Sequence, residues 1–246
     1  MPRKPRQPSI ADTAAAPGGV GAVDKALSIL LAFQAGETRL TLTELANRTG
    51  LYKSTVSRLL ASLEHAGFAQ RATDSLTQGM WQLGPRISHL NAIYLASFSV
   101  EEFLRPALRE LVAKTAETAC FHVRQGRARL CLYREEFPLV NDTHPILGYL
   151  LDPDHGAGAH VLKAFGMQQA ETKDPQERQR LAEIRRMGYY ACVDDRAKGV
   201  AGISAPVFRS DGRLLGALTC RMPSERYNPN HIPAVISTAK SLCNRI

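Results

Sequence analysis

The chain has 246 residues, room for one large domain or for a small one joined to a medium one. Its 44% hydrophobic and 22% charged residues are those of a folded globular protein, which excludes a wholly disordered or fibrous chain. The formal net charge of +8 suits a nucleic-acid partner without demanding one.

The chain opens with Arg3, Lys4 and Arg6, then Ala, Pro and Gly. No apolar core of a secretion signal follows, so residues 1–21 are read as a disordered basic tail. No segment is long and apolar enough to cross a bilayer, so no membrane partner is expected. Cys120, Cys131, Cys192, Cys220 and Cys243 are odd in number and lie far apart, without a C-x-x-C pair. That usage points to buried thiols in a reducing cytoplasm rather than to disulfides or a zinc knuckle. The seven histidines show no metal-ligand spacing, and neither a Gly-rich phosphate loop nor a nucleophile elbow is present. No metal, cofactor or catalytic residue is therefore expected.

Residues 22–33 (AVDKALSILLAF) are predicted as a helix with Val23, Ala26, Leu27, Leu30 and Leu31 on one stripe. Thr41-Leu42-Thr43-Glu44 is a capping box, opening a short helix to about Arg48 that stops at Gly50. A third helix is predicted from Tyr52 to His65, with Val56, Leu59, Leu60 and Leu63 on one face. Residues 68–71 and 80–83 read as a hairpin around a polar turn at 74–79, closed by Gly84-Pro85. Helix, capped helix, glycine turn, helix and hairpin make the order of a winged helix-turn-helix.

A linker helix follows at 86–97, with Leu90, Ile93 and Tyr94 offering an apolar face, and a second boundary falls near Ser97. Beyond a helix at 100–115 the pattern changes. Strands are predicted at 118–123, 129–133, 146–151, 189–193, 202–208 and 214–220, with helices at 158–165, 175–187 and from Pro229 onward. The fold class is therefore α+β, with a mostly antiparallel sheet in the second half. The domains expected are the tail 1–21, the winged helix 22–84, the linker helix 85–98 and the second domain 99–246.

The third helix carries what a major-groove reader needs. Lys53 and Arg58 bring positive charge, and Ser54 and Ser57 bring short donors and acceptors. Tyr52 adds an aromatic edge, and Thr55 sits where the helix dipole favours a phosphate. Arg58 has the fork to grip guanine, and Arg71 on the wing reaches for the flanking backbone. The competing reading is a winged helix that binds a protein partner.

These residues resemble the IclR family of transcriptional regulators. The matching stretches are Leu42-Thr43-Glu44-Leu45-Ala46, then Gly50 through Leu60, then Leu63, Gly67 and Trp81-Gln82-Leu83-Gly84. The family often has Pro where this chain has Tyr52. The likeness runs on through Gly188-Tyr189-Tyr190, Asp194-Asp195, Gly199-Val200 and Ile203 to Phe208. It implies a GAF-like effector-binding domain in the second half. The ligand class implied is a small organic or aromatic acid of a catabolic pathway. It also implies a homodimer or homotetramer on a pseudo-palindromic double-stranded operator. Aligned to the family's pocket, the effector-binding candidates are Gly158, Ala159, Asp194, Gly202, Thr219 and Arg221; His160 is a further candidate, whose other reading is a satisfied core or surface histidine, and the other reading of Arg221 is a strand end in solvent. The resemblance gives Thr219 the part of the hydroxyl that binds the acid's carboxylate; Thr219 and Arg221 are two apart on a predicted strand and so share a face. The chain departs from the family at His160, Leu162, Asp195, Gly202 and Arg209. A different class stays open: Cys120 and Cys131 fall on strands that can pair, the arrangement of a GAF-like thiol sensor or reductase.

Overall fold

The computed structural model describes residues 15–34, 36–74, 77–96, 100–126, 128–137, 150–166, 174–243 and 245. The expected disordered tail falls mostly outside these residues, as does the start of the strand expected at 146–151. The chain divides into two compact units, residues 1–97 and 98–246.

The first unit holds α1 (Gly21–Leu31), α2 (Leu42–Thr49), α3 (Lys53–His65), β1 (Ala69–Arg71), β2 (Trp81–Leu83) and α4 (Pro85–Ala96). The Thr41 side chain accepts from the Glu44 amide, and the Thr41 amide donates to Glu44 Oε2 at 2.7 Å. Two orphan donors of the helix start are thus satisfied reciprocally. Gly50 ends α2 in the left-handed region at φ 69°, the turn that brings α3 round. The wing is a short antiparallel ladder pairing Ala69 with Leu83, Gln70 with Gln82 and Arg71 with Trp81. Its return crosses the end of α3 tightly. A side chain on Gly84 would put its Cβ 2.2 Å from the Gly67 carbonyl oxygen, so only glycine permits that crossing.

One apolar core joins these pieces: Ile29, Leu40, Leu45, Ala46, Leu51, Val56, Leu60, Ala69 and Trp81. Val56 and Leu60 supply it from α3, as the sequence predicts. The stripe expected on α1 is different. Ile29 is the buried residue, with Ser28, while Val23, Leu27 and Leu31 stay exposed. The helix turns its less continuous face inward, and four large apolar side chains, Val20 included, remain on the surface. Leu90 and Ile93 of α4 are exposed as well.

The second unit holds α5 (Glu101–Thr115), β3 (Thr118–Gln125), β4 (Ala128–Glu135), β5 (Leu150–Leu151), α6 (Ala157–Phe165), α7 (Pro175–Met187), β6 (Tyr190–Val193), β7 (Val200–Phe208), β8 (Leu214–Pro223) and α8 (Ile232–Cys243). All strands join one antiparallel sheet in the order β5-β4-β3-β8-β7-β6. Strand β7, one in from the β6 edge, is buried at every position from Ala201 to Val207, so helices must cover both faces. Helices α5 and α8 pack on each other, α5 on β3 and β4, α8 on β7; α6 packs on β7, β8 and α7. The strands run longer than predicted, β8 to Pro223 and β3 to Gln125. Their ends carry charged residues that break the apolar alternation but keep the ladder. The last helix starts three residues after Pro229, following a single 3-10 turn at Pro229–His231.

Candidate functional site

Helix α3 presents an acid-free face. Lys53, Ser54, Ser57 and Arg58 are exposed over buried Val56 and Leu60, and the first acidic residue is Glu64. Tyr52, 65% exposed, is the N-cap residue and stands at the mouth of that face. Thr55 is half-buried, less available than the other four. Arg71 is exposed on the wing, its guanidinium 4.4 Å above the Trp81 ring. That stack steadies the side chain while leaving its charge in water. A contact to the wing that sequence reasoning missed is made by Arg39. It meets Asp74 at 2.7 Å and Thr77 at 3.0 Å, tying the wing's turn to the segment before α2. Its partners lie 35 and 38 positions away, so no local pattern shows the contact.

In the second unit the effector candidates part company. Gly158, Gly202, Thr219 and Arg221 line one cavity, together with Cys120, His122, Arg129, Cys131, Arg134, Cys192 and Arg196. Asp194 lies elsewhere: it is exposed, has φ 58°, and accepts from the Gly199 amide and the Ser224 hydroxyl, so it shapes a turn. His160 is 3% exposed and bonds Asp195 at 3.1 Å against the Tyr190 ring, so it is a core residue off the cavity wall. Because a carboxylate only accepts, His160 Nε2 carries the proton. Burial lowers the His160 pKa and keeps the ring neutral despite that partner. Ala159 lines a separate hollow with Lys163 and Asp154. Asp195, a departure from the family's usual Glu and not among the effector candidates, also accepts from the Gly156 amide at the entrance to α6. That helix start therefore already has a carboxylate.

A hydrogen-bond chain orders the cavity floor. Ser204 Oγ donates to the Leu218 carbonyl at 3.0 Å, so its proton is spent. Thr219 Oγ1, 2.9 Å from Ser204 Oγ, must then donate to it. Thr219 in turn accepts from His122 Nδ1 at 3.2 Å. This fixes His122 in the neutral Nδ1–H form and leaves its Nε2 lone pair bare. It also corrects the role expected of Thr219, whose proton already points to Ser204 and is not offered to a ligand.

Burial first, then Arg129, Arg196, Arg221 and Arg134, hold the His122 pKa well below its ordinary value of 6.5. An unfolded chain takes up that proton below pH 6.5 and the folded chain resists it. The stabilisation is therefore complete above pH 6.5 and drains away as pH falls from there toward the lower folded value. Thermal melting of the protein is expected to shift down between pH 7.5 and 5.5, with a shallower slope in His122→Gln. An equal slope in both proteins would remove His122 from this linkage.

Cys120, His122 and Cys131 each bring a ligand atom within 4.8 Å of the other two, all buried. The linear spacing hides this, because the β3–β4 ladder and its bulge at Phe121/His122 make the match. Two thiols and a bare imidazole nitrogen suit a soft divalent ion with an open position. The hydrogen bond with Cys120, and then burial, push the Cys131 thiol far up, and burial pushes Cys192 and Cys220 up to about 12. Protonated thiols are poor nucleophiles, which weighs against the redox reading.

The IclR helix-turn-helix domain matches residues 22–73, and the bacterial transcriptional regulator IclR C-terminal domain matches 159–246. The transcriptional regulator BhcR of Paracoccus denitrificans is 30% identical, over 92% of this chain and 87% of its own. The chain belongs to the IclR family of transcriptional regulators. Among solved structures, HmgR of Pseudomonas aeruginosa superposes with a TM-score of 0.72 at 25% identity, covering 92% of this chain and 99% of that one. An IclR homolog of Microbacterium hydrocarbonoxydans, solved with 4-hydroxybenzoate, shares the fold, with a TM-score of 0.74 at 20% identity over 91% and 98% of the two chains. The winged helix-turn-helix and the antiparallel α+β second unit are thus those of the family. No helix among the described residues is long and apolar enough to cross a membrane. What sequence reasoning missed in this IclR regulator is Arg129, a charged residue placed mid-cavity by a strand that otherwise reads as apolar.

Proposed function

We propose that this regulator controls a catabolic operon in the cytoplasm by binding a pseudo-palindromic operator and releasing or tightening on it when a small organic or aromatic acid enters the second unit. The observation that carries the reading is the pairing, in one chain, of the acid-free α3 face with a cavity walled by Arg129, Arg221, Thr219 and Gly158. Residues 22–84 read the DNA, 85–98 link, and 99–246 sense the acid. Tyr52, Lys53, Ser54, Ser57 and Arg58 enter the major groove, Thr55 supports the helix start, and Arg71 touches the flank. The protein acts as a homodimer or homotetramer. The exposed apolar side chains Val20, Val23, Leu27 and Leu31 on α1, and Leu90 and Ile93 on α4, fit a surface covered by a second copy. Two heads on one symmetric assembly account for a two-fold operator. The Microbacterium relative's 4-hydroxybenzoate supports an acid ligand. An acid that binds one head arrangement better appears as a change in operator affinity.

The test is a titration of the purified protein against its own upstream DNA, with and without a panel of organic acids. Specific binding shifted by one acid is the expected result. Absence of specific binding would sink the reading. Arg58→Ala is expected to lose about 1–3 kcal/mol of specific binding if the side chain grips a base. An unchanged operator affinity in that variant would take Arg58 off the reading face.

A further inference from the structure

The cavity's charge is unbalanced in a way that describes its ligand. Four arginines, Arg129, Arg134, Arg196 and Arg221, line it, and among the described residues no Asp or Glu does. Asp195 serves the Gly156 amide and His160, Asp152 serves His155, and Glu136 pairs with Arg134 at 2.8 Å, so that arginine has its counter-charge.

Arg129 is the critical member. The residue is 4% exposed. Its Nη2 reaches the His155 carbonyl at 3.3 Å, but its buried Nε has no hydrogen-bond partner among the described residues. Its pKa is lowered to about 10, first by burial and then by Arg196, so it is still a cation at neutral pH. A buried cation with an unanswered donor is costly unless an anion completes it. The completing position is visible at Gly158. A methyl built on that residue would lie 2.9 Å from Arg129 Nη1, 3.0 Å from Thr219 Oγ1 and 3.1 Å from His122 Nδ1. Gly158 thus lets Arg129, Thr219 and His122 close on its α-carbon at the cavity wall, an approach that any side chain would obstruct. Because the Thr219 proton is spent on Ser204, the donor there is the guanidinium. Arg221 faces the same cavity two residues further along β8, about 7 Å from Thr219.

We propose that the effector is a small dicarboxylate, one carboxylate seated on Arg129 above Gly158 and the other held by Arg221. This rests on the ligand-gated reading above and narrows its acid to a dianion. A monocarboxylate of the same skeleton satisfies one cation only. Two charge-assisted contacts to guanidinium groups recognise the second charge as well as the first.

The test is calorimetric titration of the full-length protein with matched pairs: succinate against butyrate, glutarate against valerate, phthalate against benzoate, with sulfate as a shapeless dianion. At least one dicarboxylate is expected to bind at least tenfold tighter than its monocarboxylate partner and than sulfate. Arg129→Gln is expected to lose that binding, and Arg221→Gln to reduce the dicarboxylate to the affinity of its partner. Equal affinities within every pair, no binding by any dicarboxylate, or sulfate binding as tightly, would each overturn the proposal. So would binding that survives Arg129→Gln but disappears with a chelator, which would move recognition to Cys120, His122 and Cys131. Should Arg129→Gln fail to fold, the pairs on the native chain still decide. Operator titration with the same acids separates the two levels. A monocarboxylate that alters operator affinity keeps the ligand-gated reading while ending this one. If operator binding is specific and indifferent to every acid, both end.

Discussion

Leu60→Ala is expected to destabilise the DNA-binding unit by about 2–5 kcal/mol, the range for a leucine removed from a packed core. Leu60 is fully buried on the inner face of α3, among Ile29, Leu45, Val56 and Trp81. A domain of this size holds only about 5–15 kcal/mol in all, so the loss is a large share. The measurement has a built-in reporter. Trp81 is the chain's single tryptophan, 4% exposed in that same core, so its fluorescence follows this unit and not the other. The urea midpoint is expected to fall with little change in slope. A midpoint equal to the native one would mean that the core has been misassigned. Arg58→Ala should leave the midpoint alone and weaken the operator complex, whereas Leu60→Ala should do both through the unfolded fraction. The pair of variants thus separates what holds α3 from what α3 reads.

The two units were not equally legible. The first is written in short-range signals. The Thr41–Glu44 box, the left-handed Gly50 and the three- and four-residue spacing of Val56, Leu60 and Leu63 each act within a turn or two of helix. Such signals identify the motif and hence the face that opposes the core. On α1 the same logic failed, because Val23, Leu27 and Leu31 make a more continuous stripe than the face carrying Ile29, yet stay exposed. Periodicity shows that a helix has an apolar side; it does not show which neighbour, in this chain or another copy, covers it. The cavity was legible where strand alternation reaches: Thr219 and Arg221 share its wall as their spacing requires. Arg129 and His122 were invisible, since they meet Thr219 only through the β4-β3-β8 strand order. Asp194 was chosen over Asp195 by likeness alone. The chain bends sharply there, at φ 58°, and one residue decides which carboxylate faces α6.

Gly158→Val is expected to weaken the response to acid strongly while leaving operator binding in the absence of acid unchanged. The backbone does not require glycine here, for Gly158 is the second residue of α6 and is not among the glycines with positive φ. Valine is no worse than glycine in a helix, so the helix itself is not penalised. The effect comes from space. The first carbon of any side chain already stands 2.9–3.1 Å from Arg129 Nη1, Thr219 Oγ1 and His122 Nδ1. Two further methyls occupy the volume in which those groups converge and cover the guanidinium with hydrocarbon. The acid midpoint for operator release is expected to rise by more than about tenfold, the equivalent of about 1.4 kcal/mol of lost ligand binding. The tight fit also carries a stability cost of about 1–3 kcal/mol, the usual penalty of overpacking, read as a lower melting temperature of the second unit with Trp81 fluorescence unmoved. A Gly158→Val protein that melts as the native one does and still answers the acid at its native midpoint would show that the ligand sits elsewhere. Arg129 would then need another explanation, because a buried cation whose Nε has no hydrogen-bond partner among the described residues is costly unless something negative completes it.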